Sequence, residues 1–402
     1  MKKRLIASGC RGTHKHGTHK GCHYYATIGG NVSSIVVAPL VGAMLLLLLI
    51  LILSSCAAPG IVSTTGQLPA VKRTPQTVSL PSIRFPQDEA AHNDLTEWWY
   101  YTGHLNAVTS GGTLHHYGFE LVFFQAIRSD LPPVYAAHFA ISDITRGEFH
   151  FDQRRQSEPG AVIPNGRSTR GIDVHIGDWS IQGVNGLDHL AATMANYGLH
   201  VNLQALKPPV LHNGSGLITY GLAGFSYYYS RTRMAVSGTL NDHNQPLQVT
   251  GEAWMDHQWG NFLTLAGSGW DWFSIQLNNN TEMMLYLIRD ASGKTISTYI
   301  GYIGPGADDH LLPASALQVK VLNHWVSPTT GATYPSGWQL EINDPQLHVS
   351  LTLLPELKNQ ELVVYQSTGN SYWEGAVSIQ GQSAGKSVAG EGYVELTGYA
   401  RG

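Results

Sequence analysis

From Arg84 onward the apolar residues recur at every second position, and that regularity restricts the chain to β architecture more than any motif does. YGFELVFF (117–124) sets Tyr117, Phe119, Leu121 and Phe123 on one face, as the alternation of side chains along a strand requires. DVHIGDWSI (173–181), HVNLQAL (200–206), RMAVSGTL (233–240), WFSIQL (272–277), MMLYLI (283–288) and AVSIQG (376–381) are of similar length and are separated by Gly, Asn and Pro turns. Convincing helical stripes are missing, and GLDHLAATMANYG (186–198) is the best candidate. Many short strands without intervening helices indicate barrels or sandwiches. A stretch of about 315 residues is enough for two packed β units. The expected join lies near 240–260, where NDHNQP makes a polar loop, giving β domains over 84–250 and 251–402. The charged share of 13% is about half the usual one, which suits β structure better than solvated helical surfaces.

The N-terminus is set apart by charge and hydropathy. Residues 1–34 carry six basic and no acidic side chains, and Ile35–Leu53 then runs nineteen residues without a charge. That length could span a bilayer. It ends in Leu53-Ser54-Ser55-Cys56, which resembles a bacterial lipobox, so residues 1–55 are expected to be a leader and Cys56 the lipidated N-terminus. An uncleaved anchor of the same topology is the alternative. Either places the body in the cell envelope, membrane-anchored on the extracytoplasmic side. Residues 57–82, rich in Ser, Thr, Pro and Gly, read as the tether that follows Cys56, so that 56–83 separates lipid from globular body.

Removing the leader's six cations from 24 leaves 18 Lys and Arg against 28 Asp and Glu, a net charge of −10. That argues against a nucleic-acid partner, which needs a basic face. No cysteine follows Cys56, which excludes both a disulfide in the body and a thiol nucleophile.

Four aromatic clusters carry the chemistry: EWWYYTGHL (97–105), SYYYSRTRM (226–234), GEAWMDHQWGNF (251–262) and GWDWFSIQL (269–277). Strand alternation groups Glu97, Trp99 and Tyr101 against Trp98, Tyr100 and His104. It sends Glu252, Trp254, Asp256 and Gln258 one way and Met255, His257 and Trp259 the other, so Asp256 and His257 pair only if a bulge reorients one. Trp270 and Trp272 share a face. An imidazole moves protons near neutral pH, and an indole face stabilises a nearby cation, which makes His257 with Trp259 a candidate couple. Equally, these aromatics could plug barrel ends and hold the groups that seal them.

Other patterns fail. GQSAG (381–385) matches a nucleophile elbow, but it lies between strands and reads as a hairpin turn. GKS (385–387) lacks the spacing and the helix of a phosphate loop. HKHGTHKGCH (14–23) could bind metal in isolation but falls in the leader. No other His or Asp spacing makes a coordination shell, so no metal is expected.

The ordered set EWWYYTGH, YYYSRTRMAVSGTL, AWMDHQWG and GWDWFSIQL, followed by YWEGAVSIQG (372–381) and EGYVELTGYA (391–400), resembles the lipocalin-like family of AttH-type proteins, carotenoid 1,2-hydratases and kievitone hydratase. The resemblance covers roughly 88–402. It implies an all-β fold of two tandem lipocalin-like antiparallel barrels with a cavity at or between them. For the hydratase branch it also implies cofactor-free, acid-catalysed addition of water to an isoprenoid double bond. His257 and Trp259 match the hydratase H-x-W, whereas MMLYLIRD (283–290) places Tyr286 where an acid is wanted and Asp290 four residues on. AttH-type relatives are often exported or lipid-anchored and linked to transport systems, which implies an ABC-type transporter as a partner.

The expected site is thus one cleft for a hydrophobic small molecule, an isoprenoid or polyketide, without cofactor. Its catalytic candidates are His257, Asp256 and Tyr286, and its ligand-binding candidates Glu97, Trp99, Trp259, Trp270 and Trp272. A non-catalytic carrier with the same lining is the alternative.

Overall fold

The computed structural model describes residues 80–109, 111–128, 131–157, 171–219, 224–262, 268–345 and 347–400; the leader, Cys56 and most of the tether lie outside them. Beyond three one-turn 3-10 segments, the regular structure among the described residues is antiparallel strand.

The first sheet contains β1 (Thr96–Val108), β2 (Leu114–Arg128), β3 (Leu131–Asp143), β4 (Glu148–Gln156), β5 (Ile172–Ile176), β6 (Trp179–Val184), β7 (Leu187–Thr193), β8 (Tyr197–Ala205), the short β9 (Val210–Leu211) and β10 (Leu217–Thr219), β11 (Gly224–Asp242) and β12 (Gln245–Phe262). Its order is β4-β3-β2-β1-β12-β11-β8-β7-β6-β5, and β5 packs back against β3 and β4 to close the barrel. The second half contains β13 (Gly269–Leu277), β14 (Glu282–Arg289), β15 (Thr295–Ile303), β16 (Asp309–Leu311), β17 (Leu317–Val321), β18 (His324–Val326), β19 (Thr333–Pro335), β20 (Trp338–Asp344), β21 (Leu347–Pro355), β22 (Glu361–Val364), β23 (Asn370–Ser383) and β24 (Lys386–Thr397). Its main sheet runs β16-β15-β14-β13-β24-β23-β21-β20-β17. In both sheets the first strand pairs with the last, the same closure used twice.

Two expectations are corrected. The join does not fall within 240–260: β12 is a central strand of the first sheet, and the sheet changes only between Phe262 and Gly269. His243 and Asn244, at φ 50° and 66°, make a tight two-residue hairpin from β11 to β12, so the polar loop continues the sheet. Nor is 186–198 helical. It is β7 and the start of β8, with Asp188, Leu190 and Ala192 buried at alternate positions and left-handed turn residues at Asn185 and Asn196. Ala384 and Gly385 turn β23 into β24, so GQSAG is the expected hairpin turn.

Each barrel has its own core. Trp99, Trp179, Tyr101 and Phe139 fill the first, and Trp338, Trp373, Phe273 and Leu351 the second, each fully buried large side chain contributing about 1.5–3 kcal/mol. A third apolar cluster, with Tyr100, Tyr228, Trp254, Trp272, Met284 and Tyr393, lies where the outer faces of the two barrels meet. A Cβ at Gly118 would collide with the Tyr393 hydroxyl and Ala376, so glycine lets β2 approach the second barrel closely. Strands β1, β2 and β12 are therefore buried on both faces through their middles.

Candidate functional site

β12 runs between β1 and β11 in continuous register through Asp256 and His257, and no bulge reorients either. The two side chains consequently face opposite ways and enter different surroundings.

His257 faces the first barrel's interior with Glu97, Trp99 and Trp259. Glu97 Oε1 receives His257 Nε2 at 2.8 Å and His92 Nδ1 at 2.7 Å, and Glu97 Oε2 accepts from the His92 amide and Gln125 Nε2. His92 stacks flat on Trp259 at 4.2 Å, and His257 stacks on Trp99 at 4.9 Å. Burial drives His257 down to about 4, only partly offset by Glu97, so its imidazole is neutral. Burial also lowers His92, but the Glu97 charge and the hydrogen bonds outweigh it and hold His92 up at about 9. For Glu97 burial acts upward, and the His92 charge with the two imidazole contacts brings the carboxyl below its usual range. This is a paired, compensated cluster. A strap before β1 closes over it, with Ile83 and Phe85 against the core and Glu89 on Arg231 at 2.5 Å.

Asp256 faces the other way, into a cleft between the outer faces of the two barrels. About 1010 Å³ of empty space, open mouth included, is lined by Trp98, Tyr100, Phe124, Tyr228, Trp270, Trp272 and Tyr286 among others. Asp256 is saturated: Tyr228 and Ser230 hydroxyls and Trp254 Nε1 donate to it. Burial raises it to about 6 against those hydrogen bonds. Three glutamates join it. Glu120, from β2, accepts at Oε1 from the Tyr372 hydroxyl at 2.8 Å, while its buried Oε2 has no hydrogen-bond partner. Glu374, from β23, accepts from the Tyr100 hydroxyl at 2.7 Å and likewise keeps Oε2 unpartnered. Glu395, from β24, accepts from Trp270 Nε1 at 2.8 Å.

Burial pushes Glu120 and Glu374 well above the carboxylate range, and the neighbouring acids push the same way. Burial brings Glu395 to about 7 despite the Trp270 hydrogen bond. Arg128 also lines the cleft, donating to the Leu95 and Ile127 carbonyls, but no acid of the cluster owes a shift to it. Buried without a counter-cation, Glu120 and Glu374 hold their protons at neutral pH. Behind Glu120, Tyr372 is held by His138 Nδ1 at 2.7 Å, and His138 Nε2 meets Ser367 Oγ at 2.9 Å. Burial lowers His138 to about 3, so that imidazole is neutral too.

The single cleft expected from the sequence is therefore corrected to two places. Asp256, Trp270, Trp272 and Tyr286 line the inter-barrel cleft; Glu97, Trp99, His257 and Trp259 lie on the opposite face, inside the first barrel. Asp290 sits in the β14–β15 turn, bonded to Ser292 and Lys294, and supplies no acid to the cleft. The acids that do line or abut it, Glu120, Glu374 and Glu395, were missed. A signal existed: each interrupts an apolar strand with no Lys or Arg within four positions. The fold also gathers His92, Glu97 and His257, a trio that no spacing in the sequence suggested.

A family profile described as AttH-like matches residues 76–399. The chain belongs to the AttH-like family. Among solved structures, this AttH-like chain is similar to an AttH protein of Nitrosomonas europaea, with 30% identity, a TM-score of 0.69, and 81% of this chain and 99% of that one covered. It is also similar to kievitone hydratase from Nectria haematococca, with 18% identity, a TM-score of 0.64, and 84% and 96% covered; at that identity the AttH-like chain shares the fold. None of the curated proteins matches it in sequence.

Proposed function

We propose that the chain is an acid catalyst that hydrates an alkene of a hydrophobic small molecule, an isoprenoid or polyketide, in the inter-barrel cleft. The observation that carries this reading is Glu120: a buried, protonated carboxyl in an aromatic cleft, one oxygen held by Tyr372 and the other unpartnered. Glu120 gives its proton to one alkene carbon, leaving a tertiary cation and a carboxylate. The Asp256 carboxylate and the indole face of Trp272 stabilise that cation. Water then bonds to the cation and returns a proton to Glu120, so the cycle closes without cofactor. Burial and the neighbouring Glu395 keep the Glu120 proton tightly held until substrate arrives, and Trp270, Trp272 and Tyr286 supply contact area.

The test is mass spectrometry of organic extracts after incubation with a lycopene-like polyene. Gain of one water by wild type and its loss in Glu120→Gln support hydration. A polyene that binds yet is recovered unchanged from wild type overturns it and leaves a carrier, one suited to handing ligand to an ABC-type transporter.

In this reading a lipid on Cys56 holds the protein at the extracytoplasmic membrane face, on the strength of Leu53-Ser54-Ser55-Cys56 behind a nineteen-residue apolar segment. Cys56→Ser should remove lipid labelling; unchanged labelling overturns the anchor.

A further inference from the structure

We propose that His92, Glu97 and His257 form a divalent-metal site inside the first barrel, with the donor set that suits zinc. The three ligating atoms, His92 Nδ1, Glu97 Oε1 and His257 Nε2, lie within 4.8 Å of one another. Two imidazoles and a carboxylate form a common zinc donor set, and a site with three protein ligands leaves a fourth position for water. Both nitrogens already converge on one carboxylate oxygen, at 2.7 and 2.8 Å. With metal–ligand bonds of about 2.0–2.1 Å, tetrahedral donors stand roughly 3.3 Å apart, so each nitrogen has to back away from the Glu97 oxygen by about half an ångström.

The surrounding groups are those a ligated cluster needs. His92 Nε2 faces Asp88 Oδ1 at 3.8 Å, and His257 Nδ1 meets the Tyr229 hydroxyl at 3.4 Å. Each imidazole can thus bind metal through one nitrogen while its other N–H is directed to an oxygen, the arrangement that fixes the tautomer of a ligating histidine. Glu97 Oε2 is held by the His92 amide at 2.8 Å and Gln125 Nε2 at 3.1 Å, which keeps Oε1 as the ligand. Gln125, fully buried, donates from Nε2 to Glu97 and to the His92 carbonyl, and its Oε1 is without a partner. Asp88 adds a second carboxylate to the neighbourhood of a cation.

The metal would join His92, at the end of the strap that caps the first barrel, to β1 and β12. Because the ligands face away from the cleft, the site is independent of the proposed hydration.

The test uses the full-length chain, stripped with a chelator and titrated with Co²⁺ and then Zn²⁺. The leader histidines of HKHGTHKGCH could bind metal as well, so the informative quantity is the equivalent lost on substitution. Wild type should bind one equivalent more than Glu97→Gln, with the visible bands of four-coordinate cobalt, abolished by Zn²⁺, and a higher thermal midpoint when loaded. Glu97→Gln should lose that equivalent. His92→Gln, at the more exposed edge, should weaken it at least 100-fold with its circular dichroism unchanged, and Asp88→Asn on the order of 10–100-fold. Should Glu97→Gln fail to fold, the His92 and Asp88 variants decide. Equal stoichiometry and affinity in wild type, His92→Gln and Asp88→Asn would overturn the site and leave a buried ion pair.

Discussion

Asp256 and His257 are neighbours in the chain, yet the two faces of β12 handle buried polarity in opposite ways. Inside the first barrel, Glu97 is matched by His92 and His257, and Arg231 by Glu89. In the cleft, Asp256, Glu120, Glu374 and Glu395 gather with no basic partner among the described residues. The compensated face behaves as structure, because removing one partner leaves an unmatched buried group. The uncompensated face stores protons beside aromatic surface, a poor arrangement for stability and a useful one for acid chemistry.

The sharpest way to separate the faces is Glu120→Gln. Replacing a protonated acid by its amide should cut turnover by about 10²–10⁴-fold while unfolding midpoints stay within a degree or two; a large stability loss with turnover retained would reverse the roles. His257→Ala comes next. It removes an imidazole packed on Trp99 and a donor to Glu97, so denaturant unfolding should show a loss of about 3 kcal/mol or more, with turnover per folded molecule near wild type. Abolished turnover in a protein of undiminished stability would break the comparison and return the chemistry to the barrel interior.

The pH dependence of stability is a smaller probe. Glu395 has a folded-state value of about 7, above the ordinary carboxylate value, so the native state binds the extra proton. Its contribution is complete below about pH 4 and is lost as pH rises to about 7, about 3 kcal/mol at most. Glu395→Gln should flatten that part of a stability–pH curve, and an unchanged slope would show that Glu395 is not held protonated. The smallest expected effect is Trp270→Ala, which should weaken polyene binding by about 1–2 kcal/mol in a fluorescence titration, whereas Trp259→Ala should leave binding by folded protein unchanged.

Alternation alone made much of this legible. It separated Asp256 from His257, Trp99 from Trp98, and it set the strands that the fold displays. The hairpin reading of GQSAG followed from its strand neighbours. The join at 240–260 was misplaced because NDHNQP resembles a linker and a tight hairpin equally. The site was read as one cleft because aromatic residues on both faces of β1 and β12 look alike in one dimension.

The amino-acid order by itself determined the β class and which side chains share a face, since those depend on neighbours one or two positions apart, and the family, through the order of its motifs along the chain. It could not determine which face meets a barrel interior and which meets the other barrel. Nor could it assemble Glu120 with Glu374 and Glu395, or His92 with His257, which are brought together across more than 150 positions. Closure of the first barrel brought His92 to His257, and docking of the two barrels gathered the cleft acids, because burial and the presence or absence of a counter-charge are properties of surroundings that the local chain does not contain.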